Sequence, residues 1–286
     1  MERQAPGGIK MSWGFELQGH RGARGLWPEN TIPGFLNAAK LGVDTLELDV
    51  VVTGDQRILV SHDPWFDPRI TTRPDGKRLD EKEADTFNFY LMTTKEIQRF
   101  DVGLRRHPEF PKQVALSAQK PLLEEVFRAI PVDGYSGRPP IKYSIEAKSH
   151  PEWVGKYVPP PETYAAILLD ELERFAPAGR ILLQSFDPHL LTILHQMAPS
   201  IALSFLISQE MPMEKYLEQI GFLPAVWSPS LKITTAETVS EARKLGMRVI
   251  PWTVNLQKEM IQLLEWGVDG LITDYPDLAL PLKHSE

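Results

Sequence analysis

The sequence contains no cysteine, which removes disulfides, thiolate nucleophiles and cysteine-ligated zinc at once. No stretch approaches the roughly 18 consecutive apolar residues that a membrane-spanning helix needs. The opening MERQAPGGIKMSWGF has no apolar core of a secretory signal. Positive charge is the minority: 31 Lys and Arg stand against 38 Asp and Glu, a net charge of −7. That balance argues against a nucleic-acid or anionic-membrane surface, yet leaves room for a local cationic cleft that takes a small anion. Internal repeats, coiled-coil heptads and low-complexity tails are also missing. These absences together lead to the expectation of a cytoplasmic protein.

What is present is a chain of 286 residues, 42% hydrophobic and 24% charged, ordinary for a globular protein and ample for a large core. Short apolar runs alternate with amphipathic stretches of helical length. The predicted strands are Phe15–His20, Thr45–Val52, Ile141–Ala147, Ile181–Ser185, Ile201–Ile207, Ala225–Ser228, Arg248–Trp252 and Gly270–Thr273. Between them lie helix starts such as Asn30 or Thr31 with Pro33, and Asp187-Pro188, and helix exits at Gly42, Gly246 and Gly267. Eight strands in this rhythm predict an α/β fold, a (β/α)8 TIM barrel spanning residues 14–282. The rhythm breaks between His62 and the helix expected near Pro121–Ile130. That polar stretch, about Pro64–Lys120 with one helix at Thr94–Phe100, is expected to be an insertion subdomain after the second barrel strand, over the C-terminal mouth. Its acidic run Asp80–Asp85 reads as a solvated face, and Tyr157–Pro161 as an exposed connection.

Polar residues cluster where strands end. Glu47 and Asp49 alternate along TLELDVVV, so both point to one face. In an apolar strand such a pair repels and is costly to desolvate unless a cation neutralises it. An ion pair from a neighbouring strand would be one remedy. The i, i+2 pattern recurs in YSIEAK, where Glu146 and Lys148 share a face, so three carboxylates and an ammonium are expected to converge. An all-oxygen donor set of this kind favours Mg²⁺ or Ca²⁺ over zinc. His20-Arg21 follows the first strand and His62 follows ILVS. Two imidazoles can pass protons between nucleophile and leaving group, while Arg21 and Lys148 suit phosphate oxygens. Gln184, Phe186, Trp252 and Asp274 also end strands; the first three are expected to wall a substrate pocket, with rim packing as the plainer reading of the two aromatics. His107, His150, His189, His195 and His284 have no supporting constellation. The pattern Gly19, Gly22, Gly25 lacks the spacing of a dinucleotide loop and reads as turn geometry.

In chain order these pieces are GHRG (Gly19–Gly22), PENT (Pro28–Thr31), ELD (Glu47–Asp49), HD (His62-Asp63) and LLEEV (Leu122–Val126). IEAK (Ile145–Lys148), QSF (Gln184–Phe186), WTVN (Trp252–Asn255) and TDYP (Thr273–Pro276) follow. The set resembles the glycerophosphodiester phosphodiesterases over about residues 15–280. The resemblance implies a (β/α)8 barrel that cleaves glycerophosphodiesters to sn-glycerol 3-phosphate and an alcohol. It also implies Glu47, Asp49 and Glu146 as ligands of one divalent cation, His20 and His62 as the acid–base pair, and Arg21 and Lys148 as phosphate binders. The substrate is then a small glycerophosphodiester. Two other readings are hydrolysis of lysophospholipids in the manner of a phospholipase D, which needs an apolar groove from Trp65, Phe66, Phe87, Phe89 and Tyr90, and a non-catalytic barrel that binds a phosphorylated ligand.

Overall fold

The computed structural model describes residues 14–135 and 137–283, so the opening residues and His284 lie outside the described part. The chain runs β1 (Glu16–Gly19), α1 (Ile32–Leu41), β2 (Thr45–Val52), β3 (Ile58–Val60), α2 (Thr94–Ile97), α3 (Leu123–Ala129) and β4 (Lys142–Ala147). It continues α4 (Pro161–Phe175), β5 (Ile181–Ser185), α5 (Pro188–Met197), β6 (Ala202–Ile207), α6 (Met213–Ile220), β7 (Val226–Pro229) and α7 (Ala236–Lys244). It ends β8 (Arg248–Val249), α8 (Gln257–Glu265), β9 (Gly270–Thr273) and α9 (Pro276–Lys283).

The strands pair in parallel in the order β8-β7-β6-β5-β4-β2-β1-β9. The two ends of that path meet: Asp269 N donates to Val249 O (2.8 Å), Ile272 N to Pro251 O (3.0 Å) and Val254 N to Ile272 O (2.9 Å). Pro251 has no N–H to give and joins this last ladder only as an acceptor, so β8 is short. The architecture is the expected (β/α)8 barrel. Its main core lies between strands and helices, where Leu46, Leu48 and Val50 of β2 meet Phe35, Ala38 and Ala39 of α1. The opposite faces of the strands fill the barrel interior, with an apolar plug of Val226, Ile250 and Ile272.

Local signals explain the helix starts. Thr31 Oγ1 accepts from Gly34 N, and the Asp187 carboxylate accepts from His189 N and Leu190 N, each ahead of a first-turn proline. The short ILV run, which is not among the eight predicted barrel strands, forms β3, an antiparallel hairpin partner of β2 with Val50 opposite Val60. One connection departs from expectation. The Tyr157–Pro161 stretch is not an exposed connection: Val158 is fully buried in the main core, and Pro161 opens α4 with its side chain buried.

Between β3 and α3 the chain builds a second apolar cluster of Phe66, Leu79, Phe89, Ile97, Phe100 and Val102, seated on Val51 and Leu59 of the hairpin. Within it Thr93 and Glu96 form a capping box at the start of α2, which is shorter than the predicted helix. Asp80 caps a 3-10 turn over Glu81–Thr86, whose acidic side chains are exposed. No described helix is long and apolar enough to cross a membrane.

Candidate active site

The site begins with a tight turn after β1. Arg21 (φ 50°) and Gly22 (φ 93°) are both left-handed, a conformation that costs a non-glycine residue energy. A Cβ on Gly19 would lie 1.9 Å from Gly22 O, so glycine is required there. The turn aims the Arg21 amide at Glu47 Oε2, 2.8 Å away. Asn30, also left-handed at φ 54°, donates its Nδ2 to Asp49 Oδ2 at 2.8 Å. Two strained residues are thus tied to the two carboxylates of β2.

Register supplies the third carboxylate. β2 and β4 pair with Asp49 opposite Glu146, and oxygens of Glu47, Asp49 and Glu146 all lie within 4.8 Å of one another, each residue buried. Gln184 on β5, opposite Glu146, donates Nε2 to Glu47 Oε1 at 2.9 Å. Lys148 Nζ lies 2.7 Å from Glu146 Oε1 and 3.8 Å from Asp49 Oδ1. Arg21 spans Glu29 Oε1 at 2.9 Å and Asp49 Oδ2 at 3.2 Å. The ion pairs foreseen as an alternative to a metal therefore exist, but they are incomplete.

Electrostatics show where compensation falls short. Burial pushes the Glu47 carboxyl well above its ordinary value, and the neighbouring Asp49 and Glu146 push it further. Burial also raises Glu146, against the pull of Lys148. Asp49 is buried too, but Arg21, His62 and Lys148 outweigh that and hold its carboxyl well below the usual range. Lys148 remains an ammonium: burial lowers it, and Glu146 and Asp49 more than restore it. Even so, Asp49 Oδ1 is buried without a hydrogen-bond donor. A buried carboxylate oxygen without a donor, inside a three-carboxylate cluster, fits a hard oxygen-ligated cation.

The two histidines have unequal settings. His20 Nδ1 sits 2.6 Å from Asp274 Oδ1, which also receives Arg24 Nε at 2.7 Å, while Asn255 Nδ2 holds Oδ2 at 2.7 Å. Burial draws the imidazole down to about 4, with Asp274 opposing and Arg24 assisting. His20 is therefore neutral at pH 7, with Nδ1 engaged and Nε2 left for other work. His62 Nδ1 pairs with Asp63 Oδ1 at 3.0 Å, and its side chain is 33% exposed against 12% for His20.

The structure joins Arg21, Glu47, Asp49, Glu146, Lys148 and Gln184 in one bonded network, with Gln184 committed to Glu47. Phe186 and Trp252 meet edge to face at 5.3 Å between centroids, and Lys148 Nζ lies 5.9 Å from the Phe186 ring. Glu29 and Asn255 were legible only as letters of PENT and WTVN, and Asn30 only as one of those letters and as a candidate helix cap. Asp274 stood at a strand end without a role, and Arg24 gave no signal. Of the aromatics named for a lipid groove, Phe66, Phe87 and Phe89 pack on one another and on Phe100 inside the second cluster. Trp65 packs instead on Trp153 and Tyr157.

Comparison with known proteins agrees with this geometry. The profile of the "Glycerophosphoryl diester phosphodiesterase family" matches residues 20–278. A glycerophosphodiester phosphodiesterase of Bacillus subtilis (strain 168) is 32% identical over 279 residues, 92% of this chain and 85% of the relative. A crystal structure from Silicibacter pomeroyi DSS-3, assigned as a glycerophosphoryl diester phosphodiesterase, superposes with a TM-score of 0.84 at 29% identity, covering 95% of this chain and 93% of that one. An Oleispira antarctica phosphodiesterase in complex with the product sn-glycerol-3-phosphate shares the fold, with a TM-score of 0.74 at 23% identity over 93% and 96% of the two chains. A barrel whose mouth gathers three carboxylates, two carboxylate-backed histidines and two cations belongs, with this match along nearly its whole length, to the glycerophosphoryl diester phosphodiesterase family.

Proposed function

We propose that the chain hydrolyses small glycerophosphodiesters to sn-glycerol 3-phosphate and an alcohol, in the cytoplasm. The observation that carries this reading is the buried Glu47, Asp49 and Glu146 cluster with its undonated Asp49 oxygen, flanked by His20 and His62. The name of the Bacillus subtilis relative and the product held by the Oleispira antarctica neighbour support the substrate class. The domain proposed to carry this activity is residues 14–282, with 64–120 as an insertion subdomain over the C-terminal mouth.

In the proposed mechanism Glu47, Asp49 and Glu146 would hold Mg²⁺ or Ca²⁺. Such a cation, when bound, polarises a phosphate oxygen and lowers the pKa of a hydroxyl beside it. Gln184 and the Arg21 amide orient Glu47, and Asn30 orients Asp49. Arg21 and Lys148 bind the non-bridging oxygens, where charge grows in the transition state. Phe186 and Trp252 wall the organic part of the substrate. The substrate's own 2-hydroxyl attacks phosphorus, its proton passes to one histidine, and the other protonates the departing alkoxide. Water then opens the resulting cyclic phosphate with the two roles reversed, so no proton is lost or gained overall.

Single-turnover trapping tests this path. A cyclic glycerophosphate is expected, and normal cleavage of a substrate lacking the 2-hydroxyl would replace the path with direct attack by water. A panel of diesters assayed after chelation and re-addition of Mg²⁺, Ca²⁺ or Mn²⁺ tests the cation and the substrate class together. The closed phenylalanine cluster favours glycerophosphocholine over lysophosphatidylcholine in that panel. Undiminished turnover by both His20→Ala and His62→Ala would remove the acid–base assignment, whereas no turnover of any diester in the panel would revive the non-catalytic reading.

A further inference from the structure

Lys120 is the last residue of the 64–120 segment and has no part in the mechanism above. It is 7% exposed, and no described carboxylate pairs with its ammonium within 4.0 Å, Glu29, Asp63, Asp67 and Asp49 acting on it only from further off. Its one hydrogen-bond acceptor is Ser61 Oγ at 2.8 Å, and the Phe89 ring lies 5.7 Å away. An ammonium buried without a paired anion is costly, and a methionine would fill similar space without that cost. Burial accordingly pulls Lys120 below the ordinary lysine value.

The acceptor explains what the cost could secure. Ser61 is fully buried and immediately precedes His62. Its N–H donates to Asp49 O at 2.9 Å, and its hydroxyl donates to Asp63 O at 2.7 Å. A hydroxyl has one proton, so once that is given to Asp63 the oxygen can only accept. Lys120 supplies the donor. The relay from Lys120 Nζ through Ser61 Oγ to Asp63 O braces both sides of His62, and Asp63 in turn contacts the His62 ring.

We propose that Lys120 is a positioning residue that, through Ser61, holds the His62–Asp63 turn in the geometry proton transfer requires. The end of the insertion would thereby govern one of the two histidines. This rests on the reading of His62 as a proton-transfer group.

The test is a set of full-length variants, Lys120→Met, Ser61→Ala and His62→Ala with the doubles, assayed on glycerophosphocholine at saturating divalent cation. Misplacement of a catalytic group by about an ångström costs up to roughly a hundredfold. Lys120→Met is therefore expected to lower kcat roughly tenfold to a hundredfold, leave KM unchanged and keep or raise the thermal midpoint. Ser61→Ala should give a similar loss, the two should not add, and Lys120→Met should cost nothing further in the residual activity of His62→Ala. In NMR spectra the His62 ring resonances should move in Lys120→Met while those of His20 stay. Undiminished kcat, an equal loss in both His62 backgrounds, or a change confined to KM would overturn the inference while leaving His62 in place. Full activity in His62→Ala would overturn the reading of His62, and this inference with it.

Discussion

The two ends of the barrel interior solve the same problem in opposite ways. At the N-terminal end Glu16 points inward from the first position of β1. Its carboxylate accepts from Thr45 Oγ1 (2.7 Å), Gln18 Nε2 (2.9 Å) and Arg248 (2.8 Å), with Lys142 Nζ at 3.8 Å. Burial raises this carboxyl, but the Thr45 and Arg248 bonds outweigh it and the net shift is downward. At the C-terminal end three carboxylates share two cations, Glu47 and Glu146 are pushed upward, and one Asp49 oxygen has no donor. The Glu16 carboxylate is compensated by its own donors, whereas the C-terminal cluster is left with uncompensated negative charge, which is how a site differs from a structural ion pair.

The largest effect that would break this contrast is Glu47→Gln. Loss of activity on the order of a thousandfold is expected, as for removal of a preorganised charge-stabilising group, with the thermal midpoint of the metal-free protein unchanged or higher because a like-charge repulsion is relieved. Mg²⁺ or Ca²⁺ at 100 times its dissociation constant should stabilise the parent protein by about 2.7 kcal/mol and the variant by much less. A destabilised Glu47→Gln that responds fully to the cation would show the upper cluster to be structural.

Acid should act next, through His20. Its folded pKa of about 4 lies below the ordinary 6.5, so between these values the unfolded chain binds a proton that the folded one does not. Stability is then fully present above pH 6.5 and falls as the pH drops toward 4, by roughly 3 kcal/mol at most. Denaturant titrations at stepped pH should show this slope, and His20→Gln should flatten it. Asp274→Asn tests the same pair through activity. Loss of the carboxylate that fixes the His20 tautomer is expected to lower kcat roughly a hundredfold with KM kept. A pure KM effect would mean that Asp274 serves substrate binding instead.

Much of the upper end was legible in the sequence, because strand alternation converts Glu47–Asp49 and Glu146–Lys148 into a shared face without any structure. The eight strands were legible for a different reason, as short apolar runs spaced by amphipathic segments of helical length. What periodicity could not supply was the partner of each group. Asp274 lies 254 positions from His20, and only closure of β1 on β9 brings them together. Glu29 and Asn30 sit in a turn whose left-handed backbone no alternation pattern encodes. The connection before α4 misled because proline-rich segments usually stay at the surface, whereas Val158 here packs into the main core. The phenylalanines of the insertion were ambiguous between groove and core until their mutual packing decided for core.

The smallest effect belongs to the compensated end. Glu16→Gln keeps the shape and one acceptor oxygen, so Thr45 or Arg248 can still be served while the other loses strength. Arg248 is 44% exposed and returns partly to water. The expected cost is about 1 kcal/mol, the range of one charge-assisted hydrogen bond discounted for solvent. Because the Glu16 pKa is lowered on folding, that contribution is fully present above the ordinary carboxylate value and is lost as pH falls from there through the lowered folded value. Parent and variant should therefore converge in stability under acid. Turnover should be unchanged, since the plug of Val226, Ile250 and Ile272 separates the ends. If Glu16→Gln lowered kcat without lowering stability, the plug would be transmitting strain between two clusters that depend on each other.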